Sequence, residues 1–353
     1  MSSRLPAEWE RHEATWLIWP HKLDDWPGKF NTIKWVYCEI IKHLSRSELV
    51  RLIVDSVRDE KKVRYYLGKS HVDPDIIEYF HIKTDRSWIR DTGPFYCLED
   101  NNIHAVRFSF NGWGKYSDFN FDEKVPGEII NKLDCTYVDA VENKKRIILE
   151  GGSIEVNGRG TLITTKQCLL SPDKQVRNEN FNLGDYERIF GKYFGIKNVI
   201  WLKDGISGDD TNGHTDDFCR FVNKNTVVMS EEKNANDPNF KVLNENFEIM
   251  SGSKSEDGSN FEIIRLPMPE PVYYDNQRLP ASYANFYITN SAVIVPTFND
   301  ANDYKAIGIF REIFKTRNVI GINSTDLILG LGSIHCLTKE QGAIPKRRSD
   351  LSE

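Results

Sequence analysis

The stretch Ile154-Glu155-Val156-Asn157-Gly158-Arg159-Gly160-Thr161-Leu162-Ile163 reads as two short strands joined by an Asn-Gly turn, because Asn and Gly accept the positive φ that a tight hairpin requires. The pattern recurs. Phe218 to Val222 meets Thr226 to Met229 around Asn223, Asn285 to Ile288 meets Ala292 to Val295 around Asn290, and a further turn falls near Asn101. The spacing is roughly 60 residues, longer than the common solenoid repeats, so the units are expected to close around an axis rather than stack in a line. A fifth, incomplete unit is expected at Ser333 to Thr338. Ala14 to Trp19 reads as a strand without a local partner, so the two chain ends are expected to close the ring together.

Between the hairpins the apolar period changes from two to that of a helix. Asn31 to Ser45 carries a stripe of Ile33, Val36, Tyr37, Ile40, Ile41 and Leu44, followed by the strand-like Leu49 to Val54. Tyr186 to Phe194 precedes Val199 to Leu202, Phe240 to Met250 precedes Phe261 to Leu266 across a polar loop, and Tyr304 to Phe314 precedes Asn318 to Ile322. Alternation of this kind predicts an α/β architecture with helices outside and strands inside.

The chain has 353 residues, of which 39% are hydrophobic and 28% charged, and a formal net charge of −6. One closed repeated domain spanning residues 1–353 is the preferred reading of that length. The acidic balance argues against a nucleic-acid backbone as partner and suits a small cationic one. No apolar run approaches bilayer length, and Met1 to Glu10 is polar, so no membrane association and a cytoplasmic location are expected. Six cysteines lie without paired metal-type spacing. Five (Cys38, Cys97, Cys135, Cys168, Cys219) read as reduced fillers of the interior.

The sixth, Cys336, stands in the glycine-rich Leu329-Gly330-Leu331-Gly332-Ser333-Ile334-His335-Cys336, which lacks the spacing of a nucleotide loop. Reactive side chains precede the other hairpins: Asp91 after Trp88, Glu150 before Gly151-Gly152, and His214 with Asp216 in Ser207-Gly208-Asp209-Asp210-Thr211-Asn212-Gly213-His214-Thr215-Asp216. In a strand, His214 and Asp216 would share a face. The glycine pair would let another segment approach Glu150 closely. A ring would thus gather one thiol, one imidazole and three carboxylates at its axis. Thiol and imidazole together support covalent catalysis without metal or cofactor, and clustered carboxylates suit a planar cation with several N–H donors, a guanidinium. His335, beside the nucleophile, is assigned to the opposite strand face and a structural role.

As a set, Trp88-Ile89-Arg90-Asp91-Thr92-Gly93-Pro94, Glu150-Gly151-Gly152, Thr211-Asn212-Gly213-His214-Thr215-Asp216 and Gly332-Ser333-Ile334-His335-Cys336 resemble the motifs of agmatine deiminases and the related bacterial-type peptidyl-arginine deiminases. Leu5-Pro6-Ala7-Glu8-Trp9-Glu10 and Thr15-Trp16-Leu17-Ile18-Trp19-Pro20 fit the same family. The resemblance implies the five-bladed, pseudo-symmetric α/β propeller of the guanidine-modifying (pentein) superfamily. It further implies Cys336 as nucleophile, Asp91 and Asp216 as holders of the guanidinium nitrogens, His214 as acid and base, Glu150 as its orienting carboxylate, and Trp88 and Asp210 as walls for the substrate's tail. Typical members are expected to carry Asn-Asp-Glu where Ser207-Gly208-Asp209 precedes Asp210, glycine at the place of Leu331, and Asn at that of Ser333. The first of these departures bears on how the far end of the substrate is read.

Agmatine hydrolysis is therefore the leading expectation, with arginine or C-terminal peptidyl-arginine as the rival substrate. A carboxylate-bearing substrate would call on Arg220, Arg265 or Arg278. A metal-dependent hydrolase using His214, Asp216, Glu150 and Cys336 as ligands, and a propeller that binds without turnover, are the readings of another class. Self-association into a homo-oligomer is left open by the sequence.

Overall fold

The computed structural model describes residues 3–100 and 102–344 of the chain, so Asn101 itself lies outside the described residues. The first sheet takes β1 (His12–Ile18), α1 (Phe30–Leu44), β2 (Leu49–Val54), α2 (Val57–Lys69) and β3 (Ile77–His81), its three strands parallel. A one-turn helix α3 (Ile89–Thr92) leads to the hairpin β4 (Phe95–Glu99) and β5 (Asn102–Arg107), then α4 (Val125–Leu133) and β6 (Tyr137–Asp139). After a short ribbon of β7 (Val141–Glu142) and β8 (Lys145–Arg146), the third sheet takes β9 (Ile154–Val156), β10 (Thr161–Thr165), α5 (Lys166–Leu170), α6 (Leu183–Phe194) and β11 (Asn198–Leu202). The fourth takes β12 (Cys219–Asn223), β13 (Thr226–Glu231), α7 (Pro238–Gly252) and β14 (Glu262–Pro267). A second ribbon, β15 (Tyr273–Tyr274) with β16 (Gln277–Arg278), precedes the fifth: β17 (Tyr287–Ile288), β18 (Ala292–Thr297), α8 (Asp303–Ile313) and β19 (Asn318–Asn323).

Four sheets thus repeat one plan: an antiparallel hairpin, a helical crossover, and a third strand parallel to the second. The crossover is obligatory, because a parallel partner cannot be reached by a tight turn. The first sheet completes the plan differently. β20 (Lys339–Gly342), from the far end of the chain, lies antiparallel to β1 and supplies the strand that a hairpin supplies elsewhere. The expected meeting of the two ends is this pairing. Each sheet also touches the next: β20 meets β4, α3 meets the turn before β9, β9 meets β12, α8 meets β14, and α1 meets β18 and β19.

The helical stripes face inward as their periods require. Ile33, Tyr37, Ile40, Ile41 and Leu44 of α1 are buried, while Val36 sits half-buried and Cys38 takes a buried place beside the stripe. In α6, Tyr186, Ile189, Phe190, Tyr193 and Phe194 are all buried, each contributing about 1.5–3 kcal/mol on leaving water. That helix starts in a capping box between Asn182 and Asp185 and ends at Gly195, whose φ of 67° only glycine adopts freely. A β-carbon at Gly195 would also fall 2.3 Å from the Ser3 carbonyl.

Asparagines at the turns do different work. Asn157 Oδ1 accepts from the backbone N–H groups of Arg159, Gly160 and Thr161 at 2.9–3.1 Å, holding its own turn closed. Asn290 instead reaches across the fold, accepting from His12 N–H and donating to the His12 and Ser47 carbonyls, while Thr289 closes the turn. The C-terminal unit also differs from expectation. Ser333 to Thr338 is a run of turns rather than a strand, because His335 N–H is bonded to Asn285 and not to a neighbouring strand, and β20 begins only at Lys339. Among the described residues no helix is long and apolar enough to cross a membrane.

Candidate active site

A cavity of about 320 Å³ opens where the loops preceding the hairpins converge, with Trp88, Asp91, Trp113, Asp210, Gly332 and Cys336 on its walls. Gly332 is required by contact: a β-carbon there would fall 2.6 Å from the Trp88 ring.

Asp91 sits on α3, between Trp88 and the start of β4. Its Oδ1 accepts from Gly152 N–H at 2.9 Å and its Oδ2 from Trp113 Nε1–H at 2.9 Å, so one oxygen is anchored from the next unit and the other from the loop after β5 in its own. The loop leading to Trp88 is fixed by a reciprocal pair. Asp85 N–H donates to Asp122 at 2.8 Å, and Asp122 N–H donates back to Asp85 at 3.3 Å. Burial pushes the Asp122 carboxyl up to about 8. The folded state then keeps a proton that the unfolded chain loses above about pH 4, so this group lowers stability progressively as pH rises from there to 8. Asp122→Asn, which preserves the accepting oxygen, is expected to raise the thermal midpoint by about 3 °C at pH 8 and hardly at pH 4, in scanning calorimetry.

His214 and Asp216 do share a site, though not through strand alternation. Thr215–Asp217 is a single tight helical turn, and the strand starts later, at Cys219. The turn is imposed by the loop before it: the Asp209 carboxylate accepts from the N–H groups of Thr211, Gly213 and His214, and Thr215 Oγ1 donates to the Ser153 carbonyl at 3.0 Å. The imidazole Nδ1 stands 3.9 Å from Asp91 Oδ2 and 4.0 Å from Asp216 Oδ1. The glycine pair works as expected in kind but on other partners. A β-carbon on Gly152 would lie 2.5 Å from His214 Nδ1 and 3.0 Å from Asp216 Oδ2.

Glu150 is fully buried and held by Arg177, whose Nε–H donates to Oε1 at 2.9 Å. Glu150 Oε2 and His214 Nε2 are both buried without a hydrogen-bond partner. Cys168, read from the sequence as a filler, lies with them: its sulfur and ligand-type atoms of Glu150 and His214 are within 4.8 Å of one another. Burial alone would lower the His214 pKa, but Asp91, Cys168 and Asp216 together raise it well above its ordinary value.

Cys336 Sγ lies 3.7 Å from Asp216 Oδ2 and accepts from Asn285 Nδ2–H at 3.1 Å. Burial, with Asp216, Asp217 and Asp91 around it, pushes the thiol well above its ordinary range. Asp210, on the cavity wall, accepts from Tyr116 O–H at 2.6 Å and Lys115 Nζ at 3.2 Å. Carboxyls also line the cavity at Asp24, Asp25 and Asp210, and burial pushes that of Asp25 up to about 6. Lys22 and Arg86 also line it, but Lys22 is paired with Asp118 and Arg86 with Asp25 and Asp118.

The three arginines proposed as readers of a substrate carboxylate are not on this cavity wall. Arg220 is buried against Glu155 and Glu8, Arg265 pairs with Glu231, and Arg278 with Asp237. His335 is not the inert neighbour that strand alternation suggested, since it lies in a turn and contacts Asp216 and Glu8, each at 2.7 Å. Asn285 and Glu8 were readable only as a strand start and part of a terminal motif, and nothing local marks either as a site residue. Among the described residues, side chains with metal-ligand chemistry fall into two trios, Glu150-Cys168-His214 and Asp216-Asp217-Cys336, so the four ligands named for a metallohydrolase are divided between them.

Residues 4–342 match the family model of Porphyromonas-type peptidyl-arginine deiminases. The chain is 31% identical to the agmatine deiminase of Stutzerimonas stutzeri, over 96% of this chain and 95% of the relative. Among solved structures it is similar to the agmatine deiminase of Enterococcus faecalis, with a TM-score of 0.88 at 26% identity over 98% of this chain and 97% of that one. The agmatine deiminase of C. jejuni, solved with substrate bound, gives 0.85 at 30% identity over 97% of each chain. The fold is that of the pentein proteins, with the mixed α/β content described above.

Proposed function

The chain belongs to the family of Porphyromonas-type peptidyl-arginine deiminases, and on that premise we propose that it hydrolyses agmatine to N-carbamoylputrescine and ammonia through a covalent thiol intermediate, in the cytosol, as one catalytic unit. The observation that carries this reading is that Cys336 and Asp91 line one cavity and that Asp216 and His214, from a third distant loop, lie directly behind them, Asp216 3.7 Å from the Cys336 sulfur and the imidazole 3.9 Å from Asp91 and 4.0 Å from Asp216. The guanidinium would lie between Asp91 and Asp216, its N–H donors facing oxygens that the fold already holds in place. Trp88 and Asp210 would bound the tail.

In the reaction so read, the Cys336 thiol gives up its proton to solvent as the cation binds, and Sγ bonds to the guanidinium carbon. His214 protonates the departing nitrogen, the C–N bond breaks, and ammonia leaves a thiouronium-like intermediate. His214 then takes a proton from water, the hydroxide adds to the same carbon, and the C–S bond breaks to release the ureido product and the thiol. Glu150 steadies the imidazole. Before substrate binds, burial and the surrounding carboxylates keep the thiol protonated, and an entering cation offsets two of those charges, so the nucleophile ionises where substrate is bound. Alkylation of the free protein by iodoacetamide is accordingly expected to be slow at neutral pH and to accelerate as pH rises.

Agmatine is favoured over arginine because the cations lining the cavity, Lys22 and Arg86, are already paired with carboxylates and are outnumbered by carboxyls on its wall. Ammonia release from agmatine, arginine and an arginine-terminated dipeptide tests this. Agmatine is expected to lead in kcat/KM by about 100-fold, and equal or better use of either carboxylate-bearing substrate would overturn the assignment. Activity should survive exhaustive chelation, and loss that zinc restores would favour the metallohydrolase reading instead.

A further inference from the structure

Glu150 and His214 come from loops ahead of different hairpins, and Arg177 belongs to neither loop. It lies in the connection between α5 and α6, is 3% exposed, and directs its guanidinium at three separate acceptors. Nε–H donates to Glu150 Oε1 at 2.9 Å, an Nη1–H to the Gln175 carbonyl at 2.8 Å, and an Nη2–H to the Thr211 carbonyl at 2.5 Å. A planar fork with fixed N–H directions meets three such acceptors only in a single orientation, whereas an ammonium would turn among them.

The acceptors are themselves held. Gln175 Nε2–H donates to the carbonyls of Trp113 at 3.1 Å and Asp210 at 2.8 Å, and the Val176 carbonyl accepts from Asn111 Nδ2–H at 3.0 Å. The Asn178 side chain accepts from Ile148 N–H at 3.0 Å and donates to the Ile148 carbonyl at 2.8 Å, on the segment that leads into Glu150. With Oε1 engaged by Arg177, Glu150 Oε2 is left as a buried oxygen without a partner, and His214 Nε2 is left in the same way. A carboxylate oxygen of Glu150 and a ring nitrogen of His214 lie within 4.8 Å of one another and of the Cys168 sulfur. His214 Nδ1 stands beside Asp91 and Asp216, at 3.9 and 4.0 Å, where the guanidinium would bind. A thiol is a weak acceptor beside a carboxylate, so Oε2 is the atom suited to the Nε2 side of the ring.

We infer that Arg177 is a positioning residue for the reaction: a guanidinium that cannot turn occupies Glu150 Oε1 and so leaves Oε2 to hold the His214 ring by Nε2, with Nδ1 kept on the substrate side. The inference rests on the deiminase reading. Arg177 is absent from the cavity wall and acts through Glu150. Its effect is geometric, because an acid and base held slightly off line loses rate without losing the site that binds the cation.

The test is a double-mutant cycle in steady-state ammonia release from agmatine, with Arg177→Lys, Glu150→Gln and the two combined. Lysine keeps the charge but not the fork, so Arg177→Lys is expected to lower kcat about tenfold while KM stays within about threefold of the parent's, since Asp91 and Asp216 are untouched. Glu150→Gln is expected to lower kcat about 100-fold, and in that background Arg177→Lys should cost no more than about a further twofold. A merely structural role would raise KM as kcat falls and would multiply the two losses, and either result would overturn the inference. So would a Glu150→Gln variant with the parent's kcat, which would leave the ring to Cys168. If Arg177→Lys does not fold, Arg177→Met combined with Glu150→Gln takes its place, because it removes both buried charges together. A kcat within about twofold of Glu150→Gln then supports the inference, and a larger loss, or failure of this pair to fold as well, overturns it. If the parent protein releases no ammonia from agmatine, the deiminase reading fails; if it does and the losses multiply, only this inference fails.

Discussion

Cys336→Ser is expected to lower turnover of agmatine by about 10⁴-fold or more while leaving the thermal midpoint within about 2 °C of the parent. The hydroxyl occupies nearly the same volume and can still accept from Asn285, so little packing is lost. What disappears is the thiolate. A serine hydroxyl ionises far less readily than a thiol, and the same three carboxylates that raise the thiol's pKa would oppose the alkoxide more strongly still. Steady-state ammonia assays beside calorimetry of the two proteins check both halves. A serine variant as active as its parent would remove Cys336 from the mechanism.

Asp91→Asn is expected to cost about 2–4 kcal/mol in kcat/KM, roughly 30- to 1,000-fold, the range for breaking one side of a desolvated charge pair. The geometry makes the isosteric change harsh. Both carboxylate oxygens accept from fixed donors, Gly152 N–H and Trp113 Nε1–H, so whichever way the amide turns, one N–H donor faces another. The negative charge beside His214 also goes, and with it a main support of the raised imidazole pKa. That pKa places the protonated imidazole below its folded value and removes it as pH rises through that value. The alkaline limb of the asparagine variant should therefore fall at lower pH than the parent's. Retention of full kcat/KM would show that Asp91 does not carry the guanidinium.

Much of this was legible because local chemistry repeats. The Asn157 turn closes on its own side chain, a signal contained within five residues. Asn290 bears the same mark and sits at the same place in its hairpin, yet its side chain ties down β1 at the opposite end of the chain. Sequence reading finds the turn in both cases and the cross-fold bond in neither. The reactive residues were visible for a related reason: Asp91, Glu150, His214, Asp216 and Cys336 stand ahead of apolar runs, among glycines and small polar residues, where a core position would be apolar. Their supports were not. Arg177 is an ordinary charged residue in a loop until it proves to be buried against Glu150, and Cys168 looks like any interior thiol until it is found beside His214.

His335 shows where the reasoning itself failed. Assigning it to the face opposite Cys336 assumed an extended strand, and that assumption holds only if a neighbouring strand takes up the backbone hydrogen bonds. Asn285 takes them instead, and a turn allows neighbours in sequence to face one site. The His214 and Asp216 pair reached the correct association by the same mistaken premise, because a tight turn also brings residues two apart to one side.

By itself, then, the sequence determined the repeat, the order of helix and strand in four of the five units, the placement of reactive side chains ahead of the hairpins, and the family. All of these are set by period, turn chemistry and motif, which are short-range properties of the chain. The tertiary structure alone decided that β20 completes the first sheet, which donors anchor each carboxylate, and that Glu8 reaches His335 from more than three hundred residues away. Those are contacts between distant segments, fixed by how the five sheets pack against one another, and no local pattern encodes a partner's distance.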